Sequence, residues 1–279
     1  VENHRWRELD NDRWYILHRW LELLPEEQRR NSPELLLSEA WGAYENFQLE
    51  KIPVLIEMVR PLLKDNKKDQ GLSAECDLMM GLVFHWSGMG EKALQYFQKA
   101  LEYLPEDWKL AQGMLHLHIA LARSVTGNKD LALQGIREQL SVDTHDPISI
   151  TRLMAGTFYV NQFAGDLKEA RNESRQIQKL AKTHNLIYTY AMGICMEATS
   201  CFNAYELNEA LDLFTVASQN RYNLHLATAL DAMAGKVITH QFLENPGEAD
   251  KSLEQLESFE KEMNRSGNTP VSKSCRARL

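Results

Sequence analysis

A recurrence of about 39 residues constrains the fold of this chain more than any other feature of its sequence. Small residues mark the start of each predicted second helix, at intervals of 40, 39, 38, 40 and 39 residues: Pro53 (where alanine is expected), Ala93, Ala132, Ala170, Ala210 and Ala249. Gly88, Gly127 and Gly165 keep the same rhythm in the turns, although Tyr205 and Glu244 replace glycine further along. Such regular intervals indicate an array of similar units, each of which buries its apolar face on its neighbours.

The clearest unit is the segment 74–107, whose pattern predicts two short helices folded back on each other. Gly81 lies three residues before Phe84 and Ala93 lies four before Phe97, so each aromatic residue shares a helical face with a small one. Glycines interrupt the pattern between the helices, and Pro105 ends the second helix because proline lacks the N–H that a helix interior needs. This order of small, aromatic, turn and proline positions resembles a tetratricopeptide repeat.

The recurrence and the resemblance predict an all-α fold, a right-handed superhelical solenoid of about six tetratricopeptide-like helical hairpins. We expect an N-terminal helix and junction over residues 1–31 and the repeat array over 32–266. Over 267–279 we expect a break at Gly267 and Pro270 and the start of a further, truncated hairpin, as in a piece of a longer protein. The twelve predicted helices are 33–46, 49–64, 72–86, 90–104, 108–125, 129–141, 147–162, 166–183, 186–203, 207–219, 223–242 and 247–264.

The composition argues against several classes of function. The net charge is −8 and the 31 Lys and Arg residues are scattered, so we expect no direct binding of nucleic acid. No apolar run approaches the roughly 18 to 20 residues that a membrane span needs, and we find no signal peptide, so we expect a cytoplasmic location without membrane contact. The four cysteines lack CxxC spacing and are expected to be buried, reduced thiols.

The segment 20–53 narrows the resemblance. It contains, in order, Trp20-Leu21, Leu24-Pro25 and Pro33-Glu34-Leu35. This run resembles the junction at which the helical sensor region begins in the large ATP-binding, maltose-activator-like regulators of the LuxR type. The resemblance implies a signal-transduction ATPase before this segment and a DNA-binding helix-turn-helix after it, both outside this chain. No GxxxxGK[ST] loop occurs in the sequence, so we expect ATP only in the missing upstream domain and no cofactor in this segment.

Motifs for catalysis are missing from the sequence, which has neither HExxH nor GxSxG. His116 and His118 form a close pair, but positions i and i+2 point about 200° apart on a helix and cannot readily share a metal. We predict that both are ordinary histidines of a helix surface. The segment is therefore expected to be non-enzymatic, with no catalytic residues and no metal site.

The candidate ligand site is the inner surface of the array. In a tetratricopeptide-like array the first helix of each hairpin lines the concave side, and residues one, three and four positions beyond its small anchor face inward. In this register the ligand-binding candidates are His85, Trp86, Arg152, Tyr159, Gln162, Phe163, Phe202, Asn203, Asp231, Gln241 and Phe242. Aromatic rings beside polar side chains can stack on a ligand while exchanging hydrogen bonds with it. Alternatively, these residues only pack between neighbouring hairpins and bind no ligand. Leucines occupy the equivalent positions in the earlier hairpins, so the inner surface would suit a peptide helix as well as a small molecule.

Two functions remain open from the sequence. The first is a non-enzymatic sensing domain of a bacterial LuxR-type signal-transduction ATPase, which would bind a small-molecule inducer or a protein or peptide partner. The second is a general tetratricopeptide interaction scaffold that docks a peptide or protein. The flanking sequence would discriminate between them, because only the regulator requires a nucleotide-binding loop upstream and a DNA-binding motif downstream.

Overall fold

The computed structural model describes residues 4–64, 66–125, 127–142, 146–263 and 271–278. Within these ranges the regular elements are helical, as predicted, and no strand occurs. The α-helices are α1 Arg5–Leu9, α2 Trp14–Glu22, α3 Glu26–Arg30, α4 Pro33–Glu45, α5 Lys51–Val59, α6 Lys67–Trp86, α7 Gly90–Tyr103, α8 Lys109–Val125, α9 Lys129–Ser141, α10 Pro147–Phe163, α11 Leu167–Thr183, α12 Ile187–Asn203, α13 Leu207–Gln219, α14 Leu226–Phe242, α15 Pro246–Met263 and α16 Val271–Arg276. Short 3₁₀ turns, Arg60–Leu62 and Arg221–Asn223, follow α5 and α13.

The helices α4 to α15 confirm the predicted recurrence, and their ends lie within five residues of the predicted bounds. Local chemistry fixes several starts. Pro33 occupies the first turn of α4, and the Ser32 hydroxyl caps that helix by accepting the Leu35 N–H. The Asp146 carboxylate caps α10 in the same way and accepts the Ile148 N–H at 3.0 Å.

The N-terminal region differs from the single helix expected over residues 1–31, because the described part of that region contains the three helices α1, α2 and α3. Apolar residues at helical spacing, Trp14, Leu17, Leu21 and Leu24, mark only α2 in this part of the sequence. A left-handed residue, Asp12, ends α1, and Pro25 separates α2 from α3. At the other end α16 lies where a further hairpin was expected, whereas the predicted break at Gly267 and Pro270 falls outside the described residues.

First and second helices of the hairpins differ in how much of their surface is buried. In α8, eleven of 17 residues are buried, whereas in the following α9 only two of 13 are. The same contrast holds in α12, with eleven of 17 buried, and α13, with five of 13. First helices therefore contact protein on most sides, while second helices bury one apolar stripe and expose the rest to solvent.

Close approach of neighbouring helices, within a hairpin and between successive hairpins, depends on a glycine facing an aromatic ring. A Cβ placed on Gly81 of α6 would lie 2.3 Å from the Phe97 ring of α7, and one on Gly235 of α14 would lie 2.5 Å from the Phe214 ring of α13. Both rings are buried. At these contacts the aromatic ring fills the space that the missing side chain of the glycine leaves, so the two residue types pack together.

The turns after the first helices share one backbone conformation. The angle φ is positive at Phe47, Gly88, Gly127, Gly165, Tyr205 and Glu244, at intervals of 41, 39, 38, 40 and 39 residues. At Gly88 the N–H donates to the His85 carbonyl at 3.0 Å and the next N–H donates to the Phe84 carbonyl at 2.9 Å, which is a Schellman ending. Glycine adopts positive φ freely, so the non-glycine residues at this position hold a conformation that costs each of them roughly 1 kcal/mol.

The chain divides into two compact units, Val1–Ala164 and Gly165–Leu279, which we call the first and second units. Residues 4–13, the N-terminal segment, contact three separate helices of the first unit. These contacts join Arg5 to Glu75 in α6 at 2.6 Å, Asp10 to the Leu110 N–H at the start of α8 at 2.7 Å, and Asp12 to Arg152 in α10 at 3.1 Å. The sequence recurrence contains no sign of these long-range contacts.

The four cysteines are buried, as predicted. Burial raises the pKa of the Cys76 and Cys195 thiols to about 12 and that of Cys201 to about 11, so these side chains carry no charge at neutral pH. Among the described residues, no helix combines the length and the apolar content that crossing a bilayer would require.

Candidate functional site

Trp86 lies at the C-terminal end of α6 in the first unit and is 43% exposed. Its ring meets the edge of Phe47 at a centroid distance of 5.2 Å, and its indole hydrogen-bonds to the Tyr44 hydroxyl. The αL position after α4 brings Phe47 to this place. The indole is thus packed against Phe47 and remains partly open to solvent.

His85 packs inward beside Trp86. Its ring centroid lies 4.9 Å from that of His118, and burial lowers the pKa of His85. The prediction of a surface position for His118 is wrong, because this residue is buried and its Nδ1 lies 2.8 Å from the Met114 carbonyl oxygen. The cause is that first helices are covered on most of their circumference, so their polar residues do not form a solvated face.

The candidates on α10 fall into two environments. Arg152 is only 3% exposed and pairs with Asp12 at 3.1 Å, so its guanidinium is engaged inside the first unit. Tyr159 and Phe163 lie one helical turn apart with ring centroids at 6.1 Å, and Phe163 is largely exposed. Gln162, next to Phe163, is half-buried.

A carboxyl that the sequence did not point to lies near the Arg152 ion pair. Burial raises the pKa of Glu45 to about 8, and the positive charge of Arg152 opposes that shift only in part. Its Oε2 atom is buried without a hydrogen-bond partner. Such a carboxyl is protonated at neutral pH and could donate a hydrogen bond.

The second unit contains a group of three aromatic residues, Phe202, Tyr205 and Phe242, which we call the aromatic group. The Phe242 ring lies 5.6 Å from Phe202 and 6.1 Å from Tyr205, both in edge-to-face geometry. Tyr205 is 69% exposed and Phe242 is 50% exposed. Phe202 and Phe242 were candidates from the sequence. Tyr205 was not, although its place in the glycine rhythm of the turns marked it as the residue at the hairpin end.

The polar candidates of the second unit are spread along α12 and α14. Asn203 is exposed beside Phe202, and the Gln241 side chain carries a buried Nε2 without a hydrogen-bond partner beside Phe242. Asp231 lies eleven residues before Phe242, roughly 16 Å away along the helix axis. It is solvent-accessible, yet the surrounding protein desolvates its carboxyl and raises its pKa. The aromatic group and the exposed Asn203 are thus close together at this end of α12 and α14, whereas the Gln241 amide nitrogen is buried and Asp231 lies further along α14.

Three ligand-type atoms gather elsewhere in the second unit, on Glu197, Cys201 and Glu209. The Arg171 guanidinium already lies among them, at 3.5 Å from Glu197 and in a hydrogen bond to Glu209. Arg175 pairs with the same Glu197 at 2.5 Å. Because a cation occupies the centre and the thiol is protonated, this cluster is an ion-pair network that joins α11 to α12 and α13.

Comparison with known proteins gives one sequence match of note. No family model matches the chain. The chain is 29% identical over 104 residues to the HTH-type transcriptional regulator MalT of Serratia proteamaculans, which covers 37% of this chain. It spans 12% of the length of that relative.

Solved structures share the fold at low sequence identity. One match is a Signal Transduction ATPase with Numerous Domains (STAND) protein from Pyrococcus horikoshii that has a tetratricopeptide repeat sensor. The match covers 87% of this chain and 37% of that protein, with a TM-score of 0.56 and 15% identity. BtubC (BKLC) from P. vanneervenii matches 81% of this chain, and 94% of its own, with a TM-score of 0.55 and 13% identity. The match to the APC/C hetero-tetramer Cut9–Hcn1 covers 100% of this chain and 48% of the chain in that structure, with a TM-score of 0.59 and 14% identity.

These matches agree with the expectation from the junction segment and the recurrence. The chain is an all-α tetratricopeptide-like helical repeat, and it is similar in sequence to the helical region of MalT-like regulators.

Proposed function

We propose that this chain is the sensing region of a bacterial LuxR-type signal-transduction ATPase that regulates transcription from the cytoplasm. In this role it has no catalytic activity of its own and binds an inducer or a protein partner. The similarity to MalT over 104 residues carries the proposal. The fold shared with a STAND protein that has a tetratricopeptide repeat sensor supports it.

The aromatic group of the second unit is the contact surface that we propose for the effector. Exposed rings next to the exposed Asn203 amide offer apolar stacking together with hydrogen-bonding groups. Trp86 offers a second exposed ring in the first unit. Binding would signal to an attached ATPase only to the extent that the effector prefers one conformation of the helical array.

The second candidate function is an interaction scaffold for a peptide or protein. The observation that favours it is the match of the whole chain to a subunit of a hetero-tetramer, together with exposed rings that could anchor a partner. The coding sequence on both sides separates the two functions. The regulator requires a GxxxxGK[ST] loop upstream and a helix-turn-helix downstream, whereas a scaffold requires neither.

A reporter assay tests the sensing role directly. The full-length protein carrying Phe242→Ala or Phe202→Ala is compared with Tyr190→Ala, which removes an exposed ring from α12 outside the aromatic group. We expect the first two variants to need about tenfold more inducer for half-maximal transcription, because each loses a stacking contact. Circular dichroism verifies that all three are folded. An unchanged inducer response in both Phe variants would refute the assignment of this surface.

A further inference from the structure

An open cleft of about 430 Å³ lies in the second unit between α13, the 3₁₀ turn Arg221–Asn223, α14 and α15. Its walls are mostly polar and include Gln219, Arg221, Lys236, Gln255, Ser258 and Glu262. No inference from the sequence pointed to this cleft. It is also separate from the aromatic group: Lys236 lies six residues before Phe242, which places it about 9 Å away along the axis of α14 and about 120° around the helix.

Arg221 is held rigidly at the edge of the cleft with one donor unused. Its Nη1 donates to the Ser218 carbonyl at 3.2 Å, and its guanidinium lies over the rings of Tyr222 and Phe259 at 4.6 and 5.6 Å. Its Nε–H is buried and has no hydrogen-bond partner. No acidic group of the described residues pairs with it within 4 Å. A buried charged donor left unsatisfied is uncommon in folded proteins, so this guanidinium is not fully partnered within the described part of the chain.

The other charges of the cleft also favour an anion. Lys236 is half-buried and forms no ion pair with the described residues of the chain. The one acid of the lining, Glu262, is engaged by the Tyr222 hydroxyl, which lies 3.0 and 3.2 Å from its two oxygens. Two cations against one engaged acid make the cleft locally positive in a chain whose net charge is −8. Local charge of this kind attracts anions despite the overall repulsion.

We propose that this cleft is a binding site for a small organic anion that carries a carboxylate or phosphate group. Arg221 and Lys236 bind the anionic group from two sides, because a guanidinium and an ammonium together satisfy its oxygens with charge-assisted hydrogen bonds. The amides of Gln219 and Gln255 and the Ser258 hydroxyl bind polar substituents on the rest of the molecule. The volume suits a metabolite of a few to a dozen heavy atoms better than a macromolecule. This site does not depend on the proposed sensing role.

Calorimetric titration of the chain with inorganic phosphate, and separately with citrate, tests the site at constant ionic strength set with chloride. We expect saturable binding of at least one probe, and the stronger one identifies whether the ligand group is phosphate or carboxylate. Lys236→Gln should weaken that binding about tenfold, because the side chain loses one charge-assisted contact. Arg221→Gln should weaken it at least as much.

Lys182→Gln is the matched control, since it removes one positive charge from an exposed position of α11 in the same unit. It should bind both probes as the unchanged chain does. Because Arg221 also packs on two rings, its variant is interpreted only if it remains folded, whereas Lys236 forms no ion pair or side-chain hydrogen bond with the described residues and interacts with Glu248 only at longer range. Absence of saturable binding of both probes at millimolar concentration, or equal affinity of Lys236→Gln and Lys182→Gln, would overturn the proposal.

Discussion

Gly81→Ala tests the contact on which the hairpin geometry depends. The added Cβ would lie 2.3, 2.5 and 3.1 Å from three atoms of the Phe97 ring, whereas carbon atoms pack at about 3.5–4.0 Å. The ring would have to withdraw by about 1 Å, and it is completely buried. Overpacking of this kind costs typically 1–3 kcal/mol, which outweighs the helix-propensity gain of up to ~1 kcal/mol from replacing glycine. We therefore expect a net loss of roughly 1–2 kcal/mol.

The assay is urea unfolding followed by far-ultraviolet circular dichroism. Gly135→Ala in α9 is the matched control, because its added methyl would meet only the end of the flexible Arg123 side chain, at 3.0 Å. That variant should gain stability or stay unchanged. The loss in Gly81→Ala should shrink when Phe97 is replaced by leucine, since the smaller side chain leaves room for the methyl group. A Gly81→Ala chain as stable as Gly135→Ala, or an equal loss in the leucine background, would refute the predicted clash.

Three further perturbations have defined outcomes. Glu244→Gly should raise stability by about 1 kcal/mol, because Glu244 holds φ +58° and glycine does so without strain. Burial raises the folded-state pKa of Asp10 to about 7, so the unchanged chain loses stability as the pH rises from about 4 to 7. Asp10→Asn removes this titration. The variant should therefore be increasingly more stable than the unchanged chain across that window, by up to ~4 kcal/mol. Glu75→Gln should cost about 3–5 kcal/mol, because it leaves Arg5 buried without its counter-charge.

Each of these has a control measured in the same denaturation assay. Gly127→Ala is the opposite change at the equivalent turn position, where φ is +84°, and it should lower stability because alanine adopts this angle only with strain. The exposed Asp130→Asn should show no gain between pH 4 and 7, and the exposed Glu27→Gln should change stability by less than about 0.5 kcal/mol. A loss of stability in Glu244→Gly, a pH-independent effect of Asp10→Asn, or a negligible effect of Glu75→Gln would each contradict the reasoning for that residue.

The sequence predicted the hairpins well because their determinants are local. Alanines at the close contacts, glycines at left-handed turns and prolines at helix ends act over a few residues, so the recurrence located α4 to α15. Tyr205 and Glu244 keep the left-handed turn without glycine, since the flanking helices hold the backbone there. Local preference was therefore overridden by packing at these two turns.

Side-chain roles at the candidate site were less predictable because they depend on distant partners. Arg152 was placed on an inner face from its helical register, but its partner Asp12 lies 140 residues away in the sequence. His118 was expected on a surface, yet the covering of first helices by both neighbours buries it. Nothing in the periodicity of α13 to α15 indicates that Arg221 and Lys236 border one cleft, because the cleft forms only where three helices and a 3₁₀ turn meet.

The N-terminal segment has a consequence for how the first unit unfolds. In ordinary repeat arrays each repeat contacts only its neighbours, so melting can begin at one end and spread in steps. Here ten residues join α6, α8 and α10 at once through Glu75, Leu110 and Arg152. Local unfolding of any one of these helices breaks its contact with the N-terminal segment, and the same segment also holds the other two helices. The first unit should therefore melt in a single transition, and deletion of residues 1–13 should divide that transition into stages.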